Sequence, residues 1–528
     1  MKKIIVCDAI LDIGVDILRN ANDVELIEAA KIPKDKLLTM LSDVDIAITR
    51  GSTDVDEKFL DAAKNLKAVV RAGVGVDNVD IAYASKKGVI VMNVPTANTI
   101  AAVELTMTHL LTSARSFVNS HNQLKQERKW DREKWYGVEL KGKTLGVIGF
   151  GHIGSRVAIR AKSFGMNILV YDPYIPASKA VDLDMQYTQN LDDVLTKSDF
   201  ITIHTPKTKE TNAMIGEKEI AKMKDGVRLI NCARGGLYVE DALYNALQSN
   251  KIAWLGIDVF SKEPATNHPL LECENISVSA HLGANTVESQ TNIAIQACEQ
   301  ALSAAREISY PNALNLPVKT EDLPDFALPY VELVSKMAYL CSQVENKDVI
   351  KAVSLEAEGA ISQYAHSMLN FAAVSALRRI LGDSINYINV DFVAKDKDID
   401  LEYKVLPTSS GYNNKLTVRI LTQNSSFSIS GTVFGESELR IIDLNGFRTD
   451  FKPKGKMIIT KNQDIPGFIA DISGILAKNH INIADFRLGR DGYGYALAVI
   501  LIDEKADDKL LEQINDLEAC SFAKYAEL

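Results

Sequence analysis

A chain of 528 residues exceeds what one hydrophobic core serves, so three or four domains are expected. Hydrophobic residues make up 46% and charged residues 24%, as in an ordinary globular protein, and no run of about 18 apolar residues offers a membrane span. The net charge of -10 argues against a nucleic-acid binder, and the six scattered cysteines, with no CxxC pair, offer no metal site and point to reduced thiols in the cytoplasm.

In chain order, Met1–Asp8 opens with two lysines and a four-residue apolar run, a first strand and too short for a signal segment. Lys3–Cys7, Val44–Ile48, Ala68–Arg71 and Ile90–Asn93 read as strands. Between them Ile10–Arg19, Asp35–Leu41, Glu57–Ala63 and Ile81–Lys87 have helical apolar spacing. Such alternation predicts a parallel sheet with helices on both faces. One long helix is expected over Asn98–Glu127, then a second series with strands at Thr144–Ile148, Asn167–Tyr171, Ile201–His204, Arg228–Asn231, Trp254–Val259 and Ile276–Ser279, and a helix at Val287–Ile308. Character changes at Tyr310-Pro311: Val318–Phe451 has helical pieces followed by alternating strands such as Lys415–Leu421 and Phe427–Val433. After Pro453-Lys454-Gly455 the order is strand, helix, strand, strand, helix, strand (Lys456–Thr460, Gly467–Asn479, Asn482–Leu488, Tyr495–Leu501, Lys509–Asp516, Ala519–Tyr525), the ferredoxin-like βαββαβ arrangement.

The strongest local signal is Gly149-Phe150-Gly151-His152-Ile153-Gly154, set between the strand Thr144–Ile148 and a helical stretch from Ser155 to Phe164. A second strand then ends at Asp172, about 20 residues on, which makes this a dinucleotide-binding fingerprint in its full context. Gly149 allows the tight turn, Gly151 admits the pyrophosphate to the backbone, and Gly154 lets helix and strand pack closely. The helix N-terminus offers free N–H groups to phosphate, with His152 and Ile153 at that contact. Asp172 would accept from the ribose hydroxyls and repel a 2′-phosphate, which favours NAD over NADP. Ligands sit outside the carboxyl ends of strands, so Thr205, Cys232, Ala233, Arg234 and Asp258 should face the cofactor, with Cys232 as a packed neighbour rather than a nucleophile.

Oxidising a hydroxyl to a ketone needs a hydride acceptor, a base and a holder for the substrate carboxylate. An imidazole ionises near neutral pH, which suits His281 to the base role, with Glu263 orienting it. Arg234 could clamp a carboxylate in a bidentate pair. Composition alone leaves this choice open, because the chain has eight histidines. His109, His204, His366 and His480 read as structural and His268 as a loop residue.

The fingerprint, the run Asn231-Cys232-Ala233-Arg234-Gly235-Gly236, Asp258-Val259-Phe260 with Glu263-Pro264, and His281-Leu282-Gly283-Ala284 together resemble the D-isomer-specific 2-hydroxyacid dehydrogenases. The resemblance spans roughly residues 1–315. It implies Arg234, Glu263 and His281 as catalytic residues, and a flavodoxin-like substrate domain (1–97 and 286–314) beside a Rossmann-type NAD domain (98–285). Gly283, Ala284 and Val74 join the cofactor contacts. Arg71–Asn78 and Asn93-Val94-Pro95 with Asn98 look like the substrate and cofactor loop, which adds Gly73 and Asn98 to the substrate contacts. Ser430–Gly435 resembles the extra α+β domain of the long-form members (315–452), so the likeness covers nearly the whole chain. For that branch the substrate is 3-phosphoglycerate, oxidised at C2, and Arg50 and Arg71, each at a predicted strand end, are candidates for its phosphate. Two departures stand out: Val74 replaces a common threonine, and Gly51 a common serine.

Asn462–Gly467 followed by Asn479–Ile483 looks like an ACT domain (455–528). Such domains often pair across subunits and bind amino acids, which implies serine as effector at Asn462, Asp464 and Asn482. The family's serine-binding pattern has a histidine two residues before an asparagine; this chain has Asn462 and Asp464 there. A homotetramer is the family expectation and a dimer the minimum. The competing readings are a dehydrogenase of another 2-hydroxy acid, such as 2-hydroxyglutarate, and a non-catalytic NAD-binding regulator.

Overall fold

In a computed structural model, residues 1–317, 323–345, 349–382, 384–409 and 411–528 of the chain are described; the first residues of the expected Val318–Phe451 segment lie outside that set. Five short apolar runs, β1 (Lys2–Val6), β2 (Val24–Glu28), β3 (Ile46–Thr49), β4 (Ala68–Arg71) and β5 (Ile90–Asn93), pair in parallel in the order β2-β1-β3-β4-β5. Every residue of β3 is buried, as a parallel strand covered by helices on both faces requires. Aspartates start two of those helices: Asp56 accepts from the Phe59 N–H and Asp80 from the Tyr83 N–H. The helix Val287–Ala305 returns to this sheet, burying Ile293, Ala297, Cys298 and Ala301 in the same core as Ile4, Ile48 and Val70.

The second sheet holds β6 (Thr144–Ile148), β7 (Asn167–Tyr171), β8 (Gln186–Thr188), β9 (Phe200–Ile203), β10 (Val227–Asn231), β11 (Ile252–Ile257) and β12 (Ile276–Val278), all parallel, in the order β12-β11-β10-β9-β6-β7-β8. Strand order reverses between β6 and β9, and there the carboxyl ends open a crevice.

The third sheet is mixed. It runs β14-β13-β15-β16-β17-β18, from β13 (Ile350–Gly359), β14 (Asp400–Leu406), β15 (Asn414–Thr422), β16 (Ser426–Phe434), β17 (Glu438–Leu444) and β18 (Phe447–Phe451), with β13 and β14 parallel. The fourth, β19 (Lys456–Gln463), β20 (Ile483–Arg490), β21 (Tyr495–Ile502) and β22 (Cys520–Glu527), is antiparallel in the order β20-β21-β19-β22. Its helices Phe468–Lys478 and Asp508–Asn515 cover one face, where Ile458, Ala498 and Ile500 lie. The other face is not open. Met457, Ile459, Leu497, Val499 and Ala526 share a core with Leu333, Val334 and Met337 of the helix Leu328–Val344.

Two expectations change. The single helix over Asn98–Glu127 is two, Thr99–Arg115 and Phe117–Lys125, broken at Ser116, whose φ of 48° cannot continue a right-handed turn. Beyond the break the buried stripe ends, and Phe117 and Leu124 face outward. The strand β2 escaped the sequence reading because it lies at an edge and is half-exposed, which leaves it no continuous apolar run.

Candidate active site

The cofactor lobe grows from the end of β6. Gly149 turns the chain at φ 89°, and its N–H reaches the Tyr171 carbonyl at 2.9 Å. The next N–H, of Phe150, is taken by Asp172 Oδ2 at 2.8 Å, while Asp172 Oδ1 accepts from Tyr174 N at 2.9 Å. Asp172 thus pins the glycine loop to β7. The helix His152–Ser163 starts at Gly151 with no side chain capping it. A Cβ at Gly154 would stand 2.0 Å from the Gly149 carbonyl oxygen, whereas one at Gly151 would meet nothing within 4 Å. One glycine serves packing; the other leaves space in front of free N–H groups, where a pyrophosphate fits. A cleft of about 630 Å³ follows, lined by Gly149, Gly151, Asp172, Tyr174 and Thr205 among others.

His204 and Thr205 separate this lobe from a second, of about 320 Å³. The His204 Nε2 lies 2.9 Å from Thr202 Oγ1, and burial pushes its imidazole down to about 4, so it stays neutral and structural. The second lobe gathers Val74, Gly75 and Asp77 from the loop after β4, Asn98, Ile153, Thr205, and Cys232, Ala233, Arg234, Asp258, His281, Gly283 and Ala284 from the ends of β10 to β12. It therefore lies between the first two sheets. Burial pushes the Cys232 thiol up, out of the range of a nucleophile.

The three expected catalytic side chains meet here. His281 Nδ1 is 2.7 Å from Glu263 Oε2, and Glu263 Oε1 accepts from Phe260 N at 3.0 Å. With Nδ1 engaged, Nε2 is the ring nitrogen left for a ligand. His281 has a φ of 54°, and its N–H donates to the Asp258 carbonyl at 2.9 Å. The Asp258 side chain, 1% exposed, accepts from Ser279 Oγ (2.6 Å), Leu282 N (2.7 Å) and Gly283 N (3.0 Å). Arg234 donates from Nε to Asp77 Oδ2 at 3.1 Å and from Nη1 to its neighbour's carbonyl, Ala233 O, at 2.7 Å. Asn231 fixes this turn: its Oδ1 accepts from Ala233 N and its Nδ2 donates to Arg234 O.

Arg50 and Arg71 do not line the smaller lobe, but their charges reach Arg234's neighbourhood. Burial first, then the charges of Arg234 and Arg50, push the Arg71 guanidinium down to about 10. Among the described residues no carboxylate pairs with Arg50 or Arg71, and Arg71 Nε is buried without a partner. Asn98 Oδ1, Asn93 Oδ1 and Thr205 Oγ1 are likewise buried and unpartnered around the cleft. Such groups are costly unless a ligand satisfies them. Gly73 sits against Arg71, where a Cβ would come 1.8 Å from Nη1.

Sequence reading missed several supports. Asp8, at the end of β1, accepts from the Arg50 N–H and from Thr53 N (3.2 Å) and Oγ1 (2.8 Å), shaping the Arg50 loop. Its place at a strand's carboxyl end was the available signal. Asp77 and Asn231 lie inside motifs already singled out, yet only their contacts reveal them. Lys207, at the cleft wall, carried no signal.

The three residues expected to bind an effector do not come together in one chain. Asn462 pairs with Ala496 in the sheet and Asp464 N donates to Gly494 O, whereas Asn482 precedes Ile483, opposite Ile502 at the other end of β21. Six residues of strand put them about 20 Å apart. Asp464 pairs with Arg490 at 3.0 Å, Asn482 Nδ2 donates to Asp503 at 2.6 Å, and Asn462 is buried with Oδ1 unpartnered.

Three known families match the chain: the NAD-binding domain of D-isomer specific 2-hydroxyacid dehydrogenases over residues 107–283, the D-3-phosphoglycerate dehydrogenase intervening domain over 327–445, and the ACT domain over 456–519. The chain is similar to D-3-phosphoglycerate dehydrogenase of Bacillus subtilis, 35% identical over 98% of both chains. It is also similar to that of Archaeoglobus fulgidus, 34% identical over the whole of both. Among solved structures, a D-lactate dehydrogenase of Aquifex aeolicus complexed with NAD and lactic acid superposes with a TM-score of 0.53 at 29% identity, covering 58% of this chain and 96% of that one.

Proposed function

The chain belongs to the D-3-phosphoglycerate dehydrogenases, NAD-dependent oxidoreductases of the D-isomer-specific 2-hydroxyacid dehydrogenase family, and on that premise we propose how its own residues carry the reaction. The substrate is 3-phospho-D-glycerate and the product 3-phosphohydroxypyruvate, the first step toward serine. One observation carries the assignment of roles: Arg234 and His281, the latter paired with Glu263 behind it, line one small lobe that adjoins the glycine loop.

Arg234, braced by Asp77, offers its guanidinium to the substrate carboxylate and polarises the C2 oxygen. His281 Nε2 takes the proton of the C2 hydroxyl, and Glu263 holds the proton on Nδ1 and balances the charge that forms. NAD, when bound, supplies the hydride acceptor; Gly149, Gly151, the helix start at His152, Ile153, Asp172 and Thr205 are the residues that would hold it. Arg50 and Arg71 meet the phosphate, and Arg71's unpartnered Nε supports that reading.

We further assign a homo-oligomer. Phe117, Leu124, Trp130 and Tyr136 form an exposed apolar arm that a second copy would cover. Serine fits between two copies, since only a partner could bring an Asn482 to Asn462 and Asp464. Six free thiols among the described residues suit the reducing cytoplasm.

The test is NADH formation from 3-phosphoglycerate beside glycerate, lactate and 2-hydroxyglutarate, with and without serine. Preference for the phosphorylated substrate is expected. Equal rates on the unphosphorylated acids would remove the phosphate role of Arg50 and Arg71; no turnover with any would favour the regulator.

A further inference from the structure

A buried line of hydrogen bonds connects the helix Thr99–Arg115 to the loop that carries His281. His109, on the inner side of that helix, is 4% exposed. It rests over Gly256 of β11, where a Cβ would come 2.8 Å from the His109 Cβ, so the strand leaves room for the ring. His109 Nδ1 is 2.9 Å from Ser277 Oγ and Nε2 is 2.9 Å from Ser279 Oγ.

Donor accounting gives each bond a direction. Both oxygens of the Asp258 carboxyl group already accept backbone N–H groups, so it acts as the acceptor for Ser279 Oγ–H at 2.6 Å. Having donated, the Ser279 oxygen accepts, and the His109 proton sits on Nε2. Nδ1 is then an acceptor and takes the Ser277 hydroxyl proton. The Ser277 oxygen in turn accepts the indole N–H of Trp254 at 3.2 Å. The line runs one way: Trp254, Ser277, His109, Ser279, Asp258.

We propose that His109 is a positioning residue for the dehydrogenase reaction, holding Asp258 and, through it, the loop that aims His281. The proposal rests on His281 as the base. Asp258 holds three successive loop N–H groups: its carboxylate accepts from Leu282 and Gly283, and its backbone carbonyl from His281. His281 sits at φ 54°, a left-handed conformation that a non-glycine residue keeps only where its surroundings over-determine it. With Asp258 loosened, the loop relaxes and Nε2 leaves its line of attack.

The test uses the full chain, with NAD and 3-phosphoglycerate. His109→Met fills the space with no polar group; Ser279→Ala cuts the line and leaves His109 in place; His109→Gln restores a donor toward Ser279. For the first two, kcat should fall roughly 10- to 100-fold, the scale of a misplaced catalytic group, while KM for 3-phosphoglycerate moves less than about twofold. The double variant should be no slower than the slower single one, because both break one line. The glutamine variant should recover most of the loss. Equal kcat for the methionine variant, the glutamine variant and the parent overturns the proposal, as does a double variant whose losses multiply. If His109→Met does not fold, Ser279→Ala decides alone: unchanged kcat overturns. His281→Ala runs alongside, because turnover surviving there condemns the base assignment rather than the positioning.

Discussion

Replacing Glu263 by glutamine keeps the side chain's size and removes its charge. In the native site both carboxylate oxygens are used, one by the His281 ring at 2.7 Å and one by the Phe260 N–H at 3.0 Å. An amide has one acceptor and one donor. Whichever way the new side chain turns, its NH₂ faces either the Phe260 N–H or the His281 Nδ1–H, two donors in opposition. The charge is lost as well, at the moment the imidazole becomes an imidazolium. A hydrogen bond to a charged group contributes about 1.5–3 kcal/mol. Here the side chains are 52% and 35% exposed, so solvent screening discounts this to about 1–2 kcal/mol in the transition state. That corresponds to a fall in kcat of roughly 5- to 30-fold. The assay is initial-rate NADH formation from 3-phosphoglycerate with Glu263→Gln and Glu263→Asp, beside NADH binding by fluorescence. NADH affinity should not change, and the aspartate variant should retain more activity than the glutamine one. A glutamine variant within twofold of the parent in kcat would show that Glu263 neither orients nor balances His281.

Other outcomes follow from the same geometry. Asp172→Ser should narrow the NAD over NADP preference in kcat/KM by roughly 5- to 30-fold, from about 1–2 kcal/mol of relieved repulsion with a 2′-phosphate; an unchanged ratio assigns selection elsewhere. Arg71→Met should raise KM for 3-phosphoglycerate roughly 10- to 100-fold, by loss of a charge-assisted contact, and leave KM for glycerate little changed. An equal rise for both would deny it the phosphate. Burial holds His204 down to about 4, against 6.5 for a free imidazole, so the unfolded chain protonates first. Its contribution is complete above pH 6.5 and is lost as pH falls toward 4, at most about 3 kcal/mol. His204→Asn should flatten Tm against pH across that window, and parallel curves would refute it.

What was legible in the sequence was contiguous. Gly149 to Asp172 lies in one βαβ unit, so turn, helix start and acid could be read together. The proposed catalytic residues follow β10, β11 and β12 and were placed by their motifs, not by any periodicity. Contacts between distant segments were silent: Arg234 and Asp77 are 157 residues apart, and nothing local to either announces the pair. Edge strands such as β2 lack a full apolar stripe. The break at Ser116 was hidden because serine, unlike glycine or proline, does not usually mark one. His109 reads as a core histidine, and the residues it joins come from segments far along the chain, Ser277 and Ser279 being 168 and 170 residues away.

The shared core beneath the last two sheets decides what a C-terminal truncation would do. Strands β19, β21 and β22 supply Met457, Ile459, Leu497, Val499 and Ala526 to it, and the Gln343 amide pairs with the Glu527 backbone on both sides, at 3.0 and 3.1 Å. A stop at Gly455 would therefore not clip off an independent sensor. It would strip the covering from Leu333, Val334 and Met337 and leave a sticky, aggregation-prone remnant. A change of activity in such a truncate would report damage to its neighbour, so the proposed serine site has to be tested by single substitutions at Asn462, Asp464 or Asn482.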